Sequence, residues 1–152
     1  MNKKAKTSPL AKQVRKNSIG WMLKRLGSQL DLEMASELKQ RGLNLNQFAV
    51  LMTLMEGEGL TQTEIGKKIK MPGYATTRTL DVLEANKYIE RRTDEHSRRS
   101  YRIYLTKKGR DTCPELFVIV EKVNANLLSS ISTTQQKQLK TILHELLIAK
   151  FE

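Results

Sequence analysis

Residues 93–106 read Thr93-Asp-Glu-His-Ser-Arg-Arg-Ser-Tyr-Arg-Ile-Tyr-Leu-Thr106, TDEHSRRSYRIYLT. The stretch opens polar, reaches the pair Arg98 and Arg99, and then alternates. Tyr101, Ile103 and Leu105 fall on one side, and Arg102, Tyr104 and Thr106 on the other. Alternation of period two predicts a half-buried strand. Just upstream, YIERR at 88–92 predicts a second short strand, so the two form a hairpin with a long basic tip.

What precedes the hairpin decides what the tip serves. Residues 44–47, NLNQ, pair a capping Asn44 with Gln47 three residues on, and Phe48, Leu51, Met52 and Met55 follow on one face. Gly57 and Gly59 end that helix. TQTE at 61–64 repeats the signature, with Thr61 as cap, Glu64 reaching back, and Ile65 and Ile69 on the buried side. Pro72 then opens a further helix whose inward residues are Leu80 and Leu83, while Thr76, Thr77 and Arg78 are too polar for a core. Two short helices joined by a tight turn and followed by a hairpin predict a winged helix-turn-helix.

The flanks are helical. Ile19, Met22, Leu23, Leu26, Leu30, Met34 and Leu38 make one stripe over 18–41, with Gly42 as its stop. After the hairpin, Thr106 caps a helix carrying Leu116, Phe117, Val120, Val123, Leu127 and Leu128, with Pro114 near its start as a possible kink. Ser132 and Gln135 open a last helix with Leu139, Ile142, Leu143, Leu146, Leu147 and Phe151. One chain has little to cover so many leucines, so both chain ends are expected to build a homodimer interface. The expected fold is mainly α with a small β hairpin. Residues 1–17 form a basic N-terminal arm leading into a helix, 18–42 and 111–152 the dimerisation helices, and 43–110 the DNA-binding domain.

Composition agrees. Of 152 residues, 27 are Lys or Arg and 16 Asp or Glu, a net charge of +11. Segments 1–30 and 61–110 carry +8 and +7, whereas 31–60 and 111–152 carry −3 and −1, so the charge is focused. Such an excess bears on partners rather than fold: nucleic acid, anionic lipid or an acidic protein. Cys113 is the single cysteine, so no intrachain disulfide forms. No run of ~20 apolar residues and no signal peptide is present, so a cytoplasmic protein without a membrane segment is expected. An enzyme reading finds no support. His96 and His144 have no Cys, Asp or Glu at metal-ligand spacing, no glycine-rich phosphate loop occurs, and no cofactor is implied. The bases Lys108 and Arg110 near Cys113 allow a redox role, against which stands that of a small buried residue.

The candidate DNA contacts follow from geometry. The second helix of such a pair lies in the major groove with its N-terminal residues at base edges. Tyr74, Ala75, Thr76, Thr77 and Arg78 hold those positions, and Thr61 and Gln62 at the start of the preceding helix complete the set. Arg98 and Arg99 at the tip suit a narrow, negative minor groove. Lys67, Lys68, Arg91, Arg92 and Arg102 are candidates for phosphate contacts. The plainer alternatives are a solvated helix face and a charged hairpin edge that discourages aggregation.

LNLNQFAVLMTL, LTQTEIGKKI, TTRTLDVLEANKYIERR and DEHSRRSYRIYLTKKG, taken in this order and spacing, resemble the MarR family of bacterial winged-helix transcription regulators over roughly 18–150. The resemblance implies a homodimer that places one recognition helix in each half of a pseudo-palindromic double-stranded operator. It also implies a wing arginine, matched by Arg99, in the minor groove, and in many members repression released by a phenolic or anionic aromatic effector. For such a ligand the junction of the lobes offers Trp21, Arg25, Met52 and Met55 as an aromatic wall, a carboxylate partner and adaptable thioethers; ordinary packing is the alternative for each. Two positions depart from the family pattern. Ser97 stands where an Asp usually precedes the basic pair and holds an arginine, so either the wing is looser or Asp94 or Glu95 substitutes. Lys87 stands where Gly often follows the recognition helix, so Asn86 or Lys87 must take a left-handed backbone. An architectural DNA-binding protein without an effector, and a module binding an acidic protein partner, are the competing readings.

Overall fold

The computed structural model describes residues 8–94 and 97–151. Its elements run α1 (Pro9–Asn17), α2 (Ile19–Lys39), α3 (Leu45–Glu56), β1 (Leu60–Thr61), α4 (Gln62–Lys68), α5 (Gly73–Ala85), β2 (Ile89–Asp94), β3 (Ser97–Leu105), α6 (Lys107–Leu128) and α7 (Thr133–Phe151). The fold is mainly helical with a three-stranded antiparallel sheet ordered β1-β3-β2. The hairpin of the sequence reading is there, with Ile89 opposite Leu105 and Arg91 opposite Ile103. The strand β1 was not expected. It has two residues, too few to show alternation, and Leu60 pairs with Ile103 across the sheet.

All the expected caps form. Asn44 and Gln47 close a reciprocal box, as do Thr61 with Glu64 and Ser132 with Gln135. Thr106 accepts from the Gly109 amide at 3.1 Å. Beyond α2, Gly42 sits at φ +70, with its own N–H on the Lys39 carbonyl and the Leu43 N–H on the Leu38 carbonyl. That pair of bonds satisfies carbonyls the helix end would leave bare. The same motif closes α4 and α5 with lysines at the left-handed position, Lys70 at φ 53 and Lys87 at φ 61. Of the two alternatives after α5, Lys87 takes the left-handed place and Asn86 does not. The Lys70 turn left no signal, because lysine carries none for that conformation.

One local reading is corrected, and Pro114 is placed. Within 1–17, residues 1–7 lie outside the described residues, but 9–17 are helical. Ser8 caps α1 and Pro9 starts it, because proline suits the first turn, where its missing N–H is not needed. Pro114 lies inside α6, which runs through it as one helix.

The core draws on every element but α1, β1 and α7. Leu38, Val50, Leu51, Leu54, Ile65, Leu80, Leu83, Ile103, Leu105, Leu116 and Ile119 are all at most 2% exposed. In α3 the buried face is Val50, Leu51 and Leu54, and Met52 and Met55 flank it half-buried. Gly109 brings α6 onto the sheet. A Cβ there would lie 2.1 Å from the Tyr88 carbonyl oxygen. By contrast α7 buries no residue and exposes Ile142, Leu143, Leu146, Leu147, Ile148 and Phe151.

Candidate nucleic-acid interface

α4 and α5 form the helix-turn-helix, and their contact is set by two small residues. A Cβ on Gly66 would meet the Thr76 Oγ1 at 2.9 Å and the Met71 carbonyl at 3.2 Å. Thr76 is 1% exposed, and its hydroxyl donates to the Pro72 carbonyl at 3.0 Å. This corrects the reading of Thr76 as a base contact too polar for a core. Its hydroxyl is satisfied along its own helix, so burying it leaves no polar group bare, and its size lets the helices meet at Gly66. Thr79, one turn on, is also buried.

The remaining α5 candidates divide by exposure. Tyr74 is 81% exposed, Thr77 and Arg78 are exposed, and Ala75 is half-buried. Tyr74, Ala75 and Arg78 share a groove of about 530 Å3 with Asn44 and Asn46 from the start of α3. On the other side of the α5 start, a groove of about 460 Å3 is lined by Gln62, Thr63, Lys67, Lys70 and Gly73. Gln62 bridges the two helices, its Nε2 donating to the Thr77 Oγ1. Thr61 is engaged in its cap. Its N–H and hydroxyl both donate to Glu64 Oε2, at 2.7 and 2.9 Å. These bonds, the backbone one first, hold the Glu64 carboxyl below its ordinary pKa.

The wing stands beside this face, and Arg98 and Arg99 lie at the start of β3; their side chains fall outside the described residues, as do Glu95 and His96. The arginines lower in the sheet are engaged within the protein. Arg91 pairs with Asp81 at 2.6 Å and with Glu84, which ties β2 to α5. Burial works against the Arg91 charge, but these hydrogen bonds outweigh it and raise its pKa. Arg92 pairs with Glu90 and lies 4.2 Å over the Tyr104 ring. Arg102 meets Asp94 at 3.0 Å and donates to the Gly59 carbonyl at 2.8 Å. Asp94 thus holds one arginine of the wing, Arg102, from the opposite strand. Of the five basic residues considered for phosphates, Lys67 and Lys68 are exposed at the end of α4 and have no such partner among the described residues.

Of the four candidate ligand residues, Trp21 and Arg25 meet on α2, while Met52 and Met55 lie half-buried on α3. Arg25 lies 5.2 Å over the Trp21 ring, with Arg15 at 6.0 Å. Trp21 lines a groove of about 590 Å3 with Leu10 and Val14 of α1. Met55 packs on the core from α3. Cys113 is 5% exposed, its thiol donating to the Gly109 carbonyl at 3.1 Å, and burial pushes its pKa up. That environment suits a packing residue rather than a reactive thiolate. Among the described residues no group of three His, Cys, Asp or Glu could hold a metal, and no helix is long and apolar enough to cross a membrane.

Sequence reasoning missed Asn44 and Asn46 on the groove rim and the Arg102 brace. Asn44 carried a cap signal only, and nothing in the alternation of β3 separated Arg102 from the arginines at the tip.

Comparison with known proteins is consistent with this architecture. A model of the MarR family matches residues 41–100. The chain is 30% identical over 112 residues to the transcriptional regulator BilQ of Clostridium symbiosum, covering 73% of this chain and 77% of BilQ. It is 28% identical over 128 residues to the transcriptional repressor Rv2887 of Mycobacterium tuberculosis, covering 84% and 92%. Among solved structures, a MarR transcriptional regulator from Methanosarcina mazei aligns with a TM-score of 0.79 at 27% identity, covering 86% and 94%. Rv2887 aligns in a complex with DNA (TM-score 0.76, 26% identity, 85% and 97% covered). It also aligns in a complex with salicylic acid (TM-score 0.73, 28% identity, 85% and 96% covered).

Proposed function

The chain belongs to the MarR family of transcription regulators, which are not enzymes, and on that premise we propose that it is a dimeric, sequence-specific repressor released by a small phenolic or anionic aromatic ligand. Residues 43–110 serve as the DNA-binding lobe, and 18–42 with 111–152 as the dimerisation lobe. Tyr74, Thr77 and Arg78 read bases in the major groove, Gln62 supports them from α4, and Arg98 and Arg99 enter the flanking minor groove.

The observation that carries this reading is the outward face of α5. Tyr74, Thr77 and Arg78 are exposed together at the N-terminal end of the second helix of the pair, where base contacts are made. The dimer is supported by the apolar residues left open on α2 and α7, Leu23, Leu26, Leu146 and Leu147 among them. Large apolar side chains left exposed in this number along a helix support an interaction site. The ligand class is supported by the salicylic acid complex of Rv2887.

The test is fluorescence anisotropy on a duplex from upstream of its own gene, beside a scrambled duplex at physiological salt. A preference of ~10³ or more is expected, and salicylate is expected to weaken the specific complex. Equal, salt-sensitive binding to both duplexes would overturn the sequence-specific reading.

A further inference from the structure

We propose that Thr77 reads a thymine methyl group in the major groove, and that Gln62 is the positioning residue that holds it in that role. The proposal rests on the DNA-binding reading above and gives it a base.

Thr76 and Thr77 are adjacent and chemically identical, yet the fold uses them oppositely. Both hydroxyls donate to the carbonyl four residues back, Thr76 to Pro72 and Thr77 to Gly73, each at 3.0 Å. Thr76 is buried and Thr77 is exposed. Thr77 differs in a second way, because its Oγ1 also accepts from Gln62 Nε2 at 2.5 Å. A threonine hydroxyl has one proton to give. Here that proton is committed to Gly73, and Gln62 occupies an acceptor site of the oxygen. The hydroxyl is thereby turned toward its own helix and toward α4. The other branch on Cβ, the methyl group, is what Thr77 has left to offer outside.

The bond from Gln62 also removes an alternative. In a helix, threonine divides between two χ1 rotamers, because one of them allows the bond to the preceding turn. Gln62 donates to the oxygen in the rotamer that makes that bond, so it selects one of the two. In the major groove, thymine alone presents a C5 methyl group, and a threonine methyl is a suitable partner for it. A hydroxyl free to donate would instead donate to purine N7 or guanine O6 without discrimination.

The experiment uses the full-length protein. The half-site is enriched from a random duplex pool, and each thymine in it is replaced in turn by uracil, which removes only the methyl group. For the wild type, one position is expected to lose affinity by roughly fourfold per half-site, the effect of burying one methyl group. Thr77→Val keeps the methyl and is expected to retain this sensitivity. Thr77→Ser removes it and is expected to lose the sensitivity at that position alone. Gln62→Ala is expected to diminish it at that position. The thymine assignment is overturned if no position is methyl-sensitive, or if Thr77→Ser keeps the sensitivity. The role of Gln62 is overturned if Gln62→Ala discriminates as the wild type does. Enrichment of no sequence at all would instead sink the DNA-reading proposal itself, and this one with it.

Discussion

Asp94 and Arg102 brace the wing from opposite strands of the hairpin, the buried carboxylate of one lying 3.0 Å from the guanidinium of the other. Arg102 continues to the Gly59 carbonyl, so one side chain links β2, β3 and the chain entering β1. The sheet register slips between Thr93 and Asp94, which sets this pair at the base of the tip. Asp94→Asn is expected to destabilise the fold by roughly 1–2 kcal/mol, because Arg102 is partly exposed and water replaces some of the lost interaction. DNA affinity should fall in the same variant. Urea unfolding together with anisotropy measures both, and an unchanged unfolding midpoint would remove the brace.

Arg99→Ala separates wing contact from wing architecture. Operator affinity is expected to drop about tenfold, or 1.4 kcal/mol, with an unchanged unfolding midpoint. The drop should be largest on operators with A·T-rich flanks, whose narrow minor groove concentrates negative potential. Wild-type affinity in this variant would refute the minor-groove assignment.

Gly109→Ala tests how α6 seats on the sheet. The added Cβ would fall 2.1 Å from the Tyr88 carbonyl oxygen, so α6 and the turn leading into β2 must part. A loss of about 3 kcal/mol or more is expected, at the upper end for overpacking, because no flexible side chain can yield. Gly66→Ala should cost less, roughly 1–3 kcal/mol, since one of its two close contacts is the Thr76 side chain. Equilibrium denaturation ranks the two, and the reverse order would contradict the packing described.

Glu64 makes the helix-turn-helix sensitive to acid. Its hydrogen bonds from Thr61 hold its pKa below the ordinary 4.5. A carboxyl lowered on folding stabilises the protein fully above its unfolded value, and that contribution is lost as pH falls through the folded one. Glu64→Gln keeps an acceptor for the Thr61 amide but does not titrate. The stability difference between wild type and Glu64→Gln is therefore expected to be constant from pH 8 down to about pH 5.5 and to shrink below it. Urea midpoints across that range check the sign; a difference that grows in acid would contradict it.

Leu143→Glu combined with Leu147→Glu places two charges on the open face of α7. Sedimentation is expected to show a dimer for the wild type and a monomer for this variant, with helicity retained by circular dichroism, since neither residue is buried within the chain. DNA affinity should fall with the dimer, because two half-sites are then no longer held by one particle. A dimeric double variant would place the interface elsewhere.

Local chemistry made much of this protein legible from the sequence alone. Asn44 with Gln47, Thr61 with Glu64, and Ser132 with Gln135 satisfy helix ends within four residues, so their spacing was sufficient to place α3, α4 and α7. The alternation Tyr101, Ile103, Leu105 placed β3, because side chains in a strand change face at every residue. Tertiary structure decided what depends on neighbours distant in the chain. Thr76 and Thr77 have the same side chain and the same local bond, and only the approach of Gly66 buries the one while Gln62 binds the other. Arg102 and Arg99 belong to one basic run, and only the fold sets Asp94 and Gly59 beside Arg102. A side chain's partners are a property of three-dimensional proximity, which the order of residues along one strand does not carry.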